Sequence, residues 1–121
     1  MKRAYPLLLL LLLLGCAPPE KGPPITGARG NEPFWAVTFS GQGATFRTPD
    51  RPDGIGYREG RWRRDGTAAK WVYKARRDRA EGLWIAVEVT EAPCTDSMSG
   101  ESFPYKAVVT FEDKRMEGCA S

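Results

Sequence analysis

The stretch LWIAVEV, residues 83–89, carries the clearest structural signal in the chain. Its apolar residues Leu83, Ile85, Val87 and Val89 stand at every second position. This period of two is the pattern of a β-strand that buries one face and exposes the other. We therefore predict a strand here, with these four side chains pointing into the core.

The same alternation continues on both sides of this stretch. The segment FWAVTFS (34–40) places Trp35, Val37 and Phe39 on one face, and similar rows follow at 69–75 and 105–111. Turn signals separate the segments, at 41–43, 49–54, 64–66, 76–82 and, as a long loop, 91–104. No window shows a helical stripe. About seven short strands predict an all-β antiparallel meander, either a small closed or nearly closed barrel or a compact sandwich.

The N-terminal sequence MKRAYPLLLLLLLLGC (1–16) predicts export and lipidation. Lys2 and Arg3 precede an unbroken leucine run of about half the length that crosses a bilayer, which is typical of a cleaved signal peptide. The end of the run, Gly15-Cys16, resembles the bacterial lipoprotein processing site. We expect cleavage before Cys16 and lipidation of its thiol; an ordinary secretory signal with an incidental cysteine is the alternative.

The predicted organisation has three parts. Residues 1–15 are the signal peptide, 16–31 are the acylated cysteine and a flexible proline-rich tether, and 32–121 are a single β domain. Ala17 stands where enteric bacteria place an aspartate to retain lipoproteins in the inner membrane. By resemblance to that sorting rule, we expect the protein on the periplasmic face of the outer membrane, held through its N-terminal lipid.

Charge is nearly balanced in total and unevenly distributed along the chain. Removing Lys2 and Arg3 from 18 basic residues leaves 16 against 15 acidic ones, so the expected mature chain has a net charge of +1 and no nucleic-acid partner is predicted. Residues 47–79 hold 11 basic and 5 acidic residues, interleaved with tyrosine and tryptophan. Such a stretch is either a solvated strand face or a surface for lipid headgroups, lipopolysaccharide or cell-wall polymers.

Three cysteines are present, and lipidation of Cys16 would leave Cys94 and Cys119 as a pair in an oxidising compartment. The two are not in a C-x-x-C arrangement, which favours a structural disulfide over a redox pair or free thiols.

Two clusters are candidate binding sites. The first, GNEPFW (30–35), contains Glu32 and Trp35, and we expect Trp35 to fill one end of the barrel with its indole N–H satisfied near the rim. The second, CTDSMSGESFPY (94–105), is a loop on rigid strands. Its candidate binding residues are Asp96, Met98, Ser99, Gly100 and Tyr105. The alternative is a pinned connection whose Phe103 and Tyr105 fold back onto the core.

These clusters, together with the late Gly118-Cys119, resemble a family of small, uncharacterised bacterial envelope lipoproteins with a G-N-E-P-F-W opening and a C-x-D-x-M-S-G … G-C ending. The resemblance implies an anchored β domain with a Cys94–Cys119 bridge, and the family carries no established activity. The chain is more loosely similar to META-type lipoproteins and to periplasmic inhibitors of c-type lysozyme. Those inhibitors use an S-G-x-x-Y loop, which the 99–105 segment matches in part.

Catalysis has little support in the sequence. The chain contains no histidine, which removes Ser-His and Cys-His nucleophiles and most zinc or copper sites. Asp96 and Glu101 are too few for a calcium cage, and no cofactor or metal is predicted. We expect a monomeric, non-enzymatic envelope protein that binds a protein or polymer. The alternatives are inhibition of a lysozyme-type cell-wall hydrolase through Ser99–Tyr105, and a structural or stress-response lipoprotein without a specific ligand.

Overall fold

Eight antiparallel strands form a closed barrel in which every strand pairs with its neighbours in sequence and the last pairs with the first. The computed structural model describes residues 21–66 and 69–121, so the predicted signal peptide, Cys16 and Ala17 lie outside the described residues. The strands are β1 (Gly27–Asn31), β2 (Phe34–Ser40), β3 (Gly43–Thr48), β4 (Arg51–Arg64), β5 (Lys70–Arg77), β6 (Trp84–Thr95), β7 (Ser102–Phe111) and β8 (Lys114–Ala120). The all-β closed barrel is confirmed, with eight strands where about seven were expected.

The predicted inward row of β6 is confirmed at three of its four positions. Ile85, Val87 and Val89 are fully buried, whereas Leu83 is 40% exposed. Leu83 ends the turn before β6, where its carbonyl accepts a hydrogen bond of 2.9 Å from the Arg77 amide. Strand pairing begins only at Trp84, opposite Arg76, so Leu83 lies outside the sheet that would have buried it.

The extra strand, β1, lies in the segment expected to be tether. Gly27–Asn31 pairs with β2 through five residue pairs and with β8 through two. The sequence GARGN has almost no apolar side chains, and its pairing rests on backbone hydrogen bonds that hydrophobic periodicity does not detect. The barrel therefore begins at Gly27, five residues before the expected domain boundary. All eight strands lie within residues 27–120, so this part of the chain contains every pairing that closes the barrel.

Two expected loops are shorter than predicted. β6 continues to Thr95 and β7 begins at Ser102, so the 91–104 loop is reduced to residues 96–101. A register shift between Glu91 and Cys94 interrupts the alternation of apolar and polar residues there, so the sequence pattern did not predict that the strand continues to Thr95. Likewise β4 begins at Arg51, inside the expected 49–54 turn.

The two ends of the barrel differ. The closed end is filled by Phe39, Trp62 and Tyr73, whose ring centroids lie 5.0–5.2 Å apart. The Tyr73 hydroxyl donates to the Gln42 carbonyl at 2.9 Å, and the backbone of Gly22 packs on the Trp62 ring. The opposite end, where the turns at 32–33, 49–50, 78–83 and 112–113 lie, has no such aromatic trio among the described residues; we call it the open end.

Candidate functional site

The two sequence clusters meet on the outside of the barrel. The far end of the β6–β7 hairpin, residues 94–103, folds over β8 onto β1, and we call this segment the flap. The Cys94–Cys119 disulfide attaches it to β8 with a Cα–Cα distance of 5.6 Å, which confirms the structural pairing. At β1, the Asn31 side-chain amide donates to the Asp96 carboxylate and, at 3.3 Å, to the Ser97 hydroxyl.

A second contact holds the flap to β1. The Arg29 guanidinium lies 4.7 Å from the centroid of the Phe103 ring and pairs with the Glu101 carboxylate at 3.2 Å. The flap thus covers the seam between β1 and β8, where only two residue pairs join the strands. Its position indicates that it stabilises barrel closure.

Asp96 organises the flap's own turn. The Met98 amide donates to the Asp96 carboxylate at 2.9 Å, and the Gly100 amide donates to the Asp96 carbonyl at the same distance. The Met98 amide, followed by the Asn31 side chain, lowers the pKa of Asp96. The Ser99 hydroxyl accepts from the Glu101 amide at 3.1 Å. These are the bonds of an Asx-type turn, in which short polar side chains satisfy nearby backbone donors.

The tip of the flap presents little besides Met98, which is 67% exposed, together with the exposed Ser99 and Gly100. Tyr105 turns away from it. Its half-buried ring packs edge-on against Trp71, with 6.2 Å between the centroids. Of the candidate residues in this cluster, Tyr105 therefore belongs to the barrel and only the tip is available for contact.

Trp35 is inside the barrel, 3% exposed, and lies over the seam. Its indole N–H donates to the Glu117 carbonyl of β8 at 3.2 Å, so the expected hydrogen bond of the indole is present, and it lies at the seam. Two glycines make room for the ring and for the neighbouring backbone. A Cβ at Gly30 would lie 2.1 Å from Trp35 Nε1, and one at Gly118 would lie 1.9 Å from the Arg29 carbonyl oxygen. Gly30, Trp35, Gly118 and the Cys94–Cys119 bridge therefore lie together at the seam between β1 and β8.

Glu32 is the member of the first cluster that reaches a cavity. It is exposed in the β1–β2 turn and borders a depression of about 740 Å³ at the open end. The apolar wall of this cavity consists of Phe46, Ile55, Phe111 and Met116. Phe46 and Phe111 stack with their centroids 4.5 Å apart. Phe34, 51% exposed, stands at the edge.

Charges of both signs border this cavity. Acidic Glu32, Asp50 and Glu112 alternate with the cations Arg51 and Lys114. An apolar depression with a few convergent polar groups is the usual form of a binding site, and its volume is within the usual range of ligand pockets.

Tyr57, buried near this end, remains neutral. Burial raises its pKa to about 12, Arg77 lowers it, and Glu112 raises it. Arg77 and Glu112 pair with each other at 3.9 Å.

A second cavity of about 440 Å³ lies beside the flap, bordered by Asn31, Glu32, Asp96, Lys106 and Glu117. Several of its polar groups already bind one another in the flap contacts described above. The open-end cavity is larger, and it has the partly exposed Phe111 and the exposed Phe34 at its surface, so we take it as the candidate site.

Sequence reasoning identified Glu32 at this site and missed its apolar wall. Phe46, Ile55, Phe111 and Met116 look like ordinary core positions in alternating strands. The one available signal was Phe34, a large apolar residue next to a proline turn. Among residues 21–66 and 69–121, no set of three metal-ligating side chains comes together, and no helix has the length and apolar character to span a bilayer.

Comparison with protein families, with curated proteins and with solved structures finds no match to this chain. The class is therefore stated from the fold alone: a small, closed, eight-stranded antiparallel barrel with one filled end, one open end and a disulfide-attached flap.

Proposed function

We propose that this chain is a non-enzymatic, lipid-anchored envelope protein that binds a protein partner through the open end of its barrel. The observation that carries the proposal is the contrast between the ends. Three packed aromatic rings fill one, whereas the other leaves a cavity of about 740 Å³ with Phe34 and Phe111 at its surface and the buried Phe46, Ile55 and Met116 beneath them.

The partner's chemistry follows from the cavity wall. Phenylalanine, isoleucine and methionine side chains offer no hydrogen bonds, so they favour an apolar side chain over a sugar or a phosphate. Burying one leucine or phenylalanine side chain contributes about 1.5–3 kcal/mol. The mixed charges of Glu32, Arg51 and Lys114 at the border would orient the partner and exclude wrong ones.

The attachment point of the N-terminal segment supports this arrangement. Lys21–Thr26 joins the barrel at the closed end, where Gly22 packs on Trp62 and the Thr26 amide donates to the Ser121 carbonyl at 2.9 Å. The open end therefore lies at the opposite end of the barrel from the segment that leads to the predicted lipid. A partner can reach the cavity without displacing this attachment.

The non-enzymatic part of the proposal rests on the absence of histidine and on how the serines are used. Ser97 and Ser99 act as hydrogen-bond acceptors for Asn31 and for the Glu101 amide. Both belong to the flap's structural contacts, which gives neither the environment of an activated nucleophile.

Site-specific photo-crosslinking in the host envelope tests this function. A photoreactive phenylalanine analogue replaces Phe34 at the open end or, as the matched control, Met98, which is equally apolar and exposed at the flap tip. We expect a discrete crosslinked product from position 34 and none from position 98. Thr48→Trp, which places a large side chain in the cavity, should abolish that product, whereas Thr38→Trp on the outside of β2 should not.

Equal crosslinking from both positions, or a product unaffected by Thr48→Trp, would contradict binding at the open end. The absence of any product from a folded protein would also contradict it and would favour the structural or stress-response alternative. The hydrolase-inhibitor alternative predicts a product from position 98 instead. In that case the flap tip acts without Tyr105, because Tyr105 packs against Trp71.

A further inference from the structure

The outer face of β4 and β5 concentrates positive charge in a way that the barrel itself does not require. We call this surface the basic strip; its residues, all exposed, are Arg58, Arg61, Arg63, Lys74 and Arg76. In the sheet register, Arg58 lies directly opposite Arg76, and Arg61 lies directly opposite Lys74. Like charges at directly opposed positions destabilise a sheet. Two such pairs side by side lower the stability of the free barrel.

Neighbouring carboxylates offset only part of this charge. Arg58 pairs with Asp78 at 3.6 Å, and Arg76 pairs with Glu59 at 3.5 Å. All four side chains are at least half exposed, and ion pairs of that kind contribute little. In the part of the chain that the structure describes, Arg61, Arg63 and Lys74 have no carboxylate within salt-bridge distance. The centre of the strip is thus left for an external anion.

Apolar residues extend the strip at its open-end side. Trp84 lies opposite Arg76 on the next strand and is 50% exposed, and the Lys74 ammonium lies 5.3 Å from the centroid of its ring. Leu83, 40% exposed, precedes it. Arginine, lysine and tryptophan are the residues that occupy the headgroup region of a membrane, where a ring buries its apolar body and cations meet phosphates.

The position of the N-terminal segment distinguishes a membrane from a soluble polyanion. Gly22 packs on Trp62, so the chain that leads back to Cys16 passes over the closed end of the barrel at a residue of β4, one of the two strands of the strip. A lipid on Cys16 would hold this side of the barrel near the bilayer. A basic surface next to an acyl anchor is the usual second signal in stable membrane attachment.

We propose that the basic strip, together with Trp84 and Leu83, is a membrane-contact surface that binds the phosphate headgroups of anionic lipids, with the barrel lying on its side against the bilayer. This goes beyond partner binding at the open end and does not depend on it, but it rests on the lipid anchor of the proposed function. Alternate residues of a strand are about 6.6 Å apart, so Arg61 and Arg63 on β4, and Lys74 and Arg76 on β5, form two short rows of cations along the surface.

Vesicle binding tests the proposal. Residues 21–121, which contain all eight strands and the disulfide, are titrated with vesicles of equal parts phosphatidylcholine and phosphatidylglycerol, and with phosphatidylcholine alone. We expect salt-sensitive binding to the anionic vesicles only, with a blue shift of tryptophan emission that Trp84→Phe removes. Each cation at the surface accounts for about a five-fold change in affinity, so Arg61→Gln with Lys74→Gln should weaken binding about 30-fold.

The matched control is Arg47→Gln with Lys106→Gln, which removes the same charge from exposed positions on other faces. It should weaken binding less than about three-fold if the strip is specific, since removed charges away from the surface are screened. The strip variant should melt at a temperature at least as high as the unsubstituted protein, because it removes a like-charge pair.

Four results would overturn the proposal: no binding by folded protein, equal losses in the two double variants, a lower melting temperature for the strip variant, or equally tight binding of soluble polyphosphate without the Trp84 shift. The last would assign the strip to an anionic polymer. Trp84 and the substituted strip residues do not border the open-end cavity, so failure here is distinguishable from failure of the proposed function.

Discussion

Removing the flap's disulfide should destabilise the whole barrel and open it first at the seam between β1 and β8. The perturbation is the double substitution Cys94→Ser with Cys119→Ser. The bridge joins residues 25 apart in sequence. In the loop-entropy treatment, a closed loop of that size accounts for about 3.5 kcal/mol.

This magnitude is large for a domain of about 100 residues, whose total stability is about 5–15 kcal/mol. It corresponds to a drop in melting temperature of about 15–25 °C. The loss should be local at first, because the seam has two residue pairs whereas β1 and β2 share five. Among residues 21–66 and 69–121, the contacts that then still attach the flap to β1 are those of Asn31 and Arg29.

Two measurements check this prediction together. Urea denaturation of the oxidised protein and of the double variant gives the difference in unfolding free energy. Hydrogen exchange of the folded double variant should show a larger loss of protection at Ala28, Arg29 and Ala120 than in β5 and β6. Asn31→Ala is the control that breaks one flap contact with the bridge intact, and it should cost only about 1 kcal/mol.

A stability difference below about 1 kcal/mol would refute the assignment of the flap as the element that closes the seam. So would a loss of protection that is no larger at the seam than in β5 and β6. The loop-entropy effect on the unfolded chain lowers protection in all strands equally, and only the excess at the seam reports its local opening. Reduction of the native protein should reproduce the variant, since both remove the same covalent link.

Three further predictions concern single residues. Gly118→Ala should lower the unfolding free energy by about 3 kcal/mol or more in urea denaturation, because its Cβ would lie 1.9 Å from the Arg29 carbonyl oxygen. The control Gly100→Ala, where no atom lies within 4 Å, should cost about 1 kcal/mol through its positive φ. Equal costs would contradict close packing at the seam. Asp96→Asn should flatten the acid side of the stability–pH curve. Its folded pKa is lowered, so its contribution is present at neutral pH and disappears as the pH falls through that folded pKa; an unchanged acid limb would contradict this. Tyr73 has a pKa raised from 10.0 to about 12 by burial, so its contribution is complete below pH 10.0 and is lost as the pH rises through about 12. Tyr73→Phe should remove that alkaline loss and cost about 1 kcal/mol at neutral pH through the hydroxyl bond to Gln42, as ultraviolet titration and denaturation at both pH values will show.

The strands could be predicted from the sequence wherever their side chains alternate between buried and exposed. The buried row Ile85, Val87 and Val89 could be identified because each side chain must leave water, and the backbone period then shows in the sequence. β1 could not be predicted, because Gly27–Asn31 joins the sheet through backbone hydrogen bonds, which leave no pattern of side chains in the sequence. Leu83 was misplaced for the complementary reason. Leu83 continues the apolar pattern in the sequence, but its burial would require a paired neighbouring strand, and the pairing of β6 with β5 starts one residue later, at Trp84.

The candidate site was predicted only in part. Glu32 could be identified because it lies in a turn within a distinctive cluster, and it does border the open end. The apolar wall could not, because Phe46 and Phe111 are buried by the same alternation that builds any core. Whether the end above them is filled depends on which large side chains other strands place there.

What the sequence by itself determined are properties carried by single side chains and by short-range order. These are the all-β class, the inward rows and turns, the pair Cys94 and Cys119, and the uneven distribution of charge. The tertiary structure alone decided which distant residues meet. It folded the flap over the seam, placed Arg61 opposite Lys74, filled one end with Phe39, Trp62 and Tyr73, and left the other open. The physical reason is that strand register and barrel closure are set by the summed pairing of all eight strands, and no local segment contains that information.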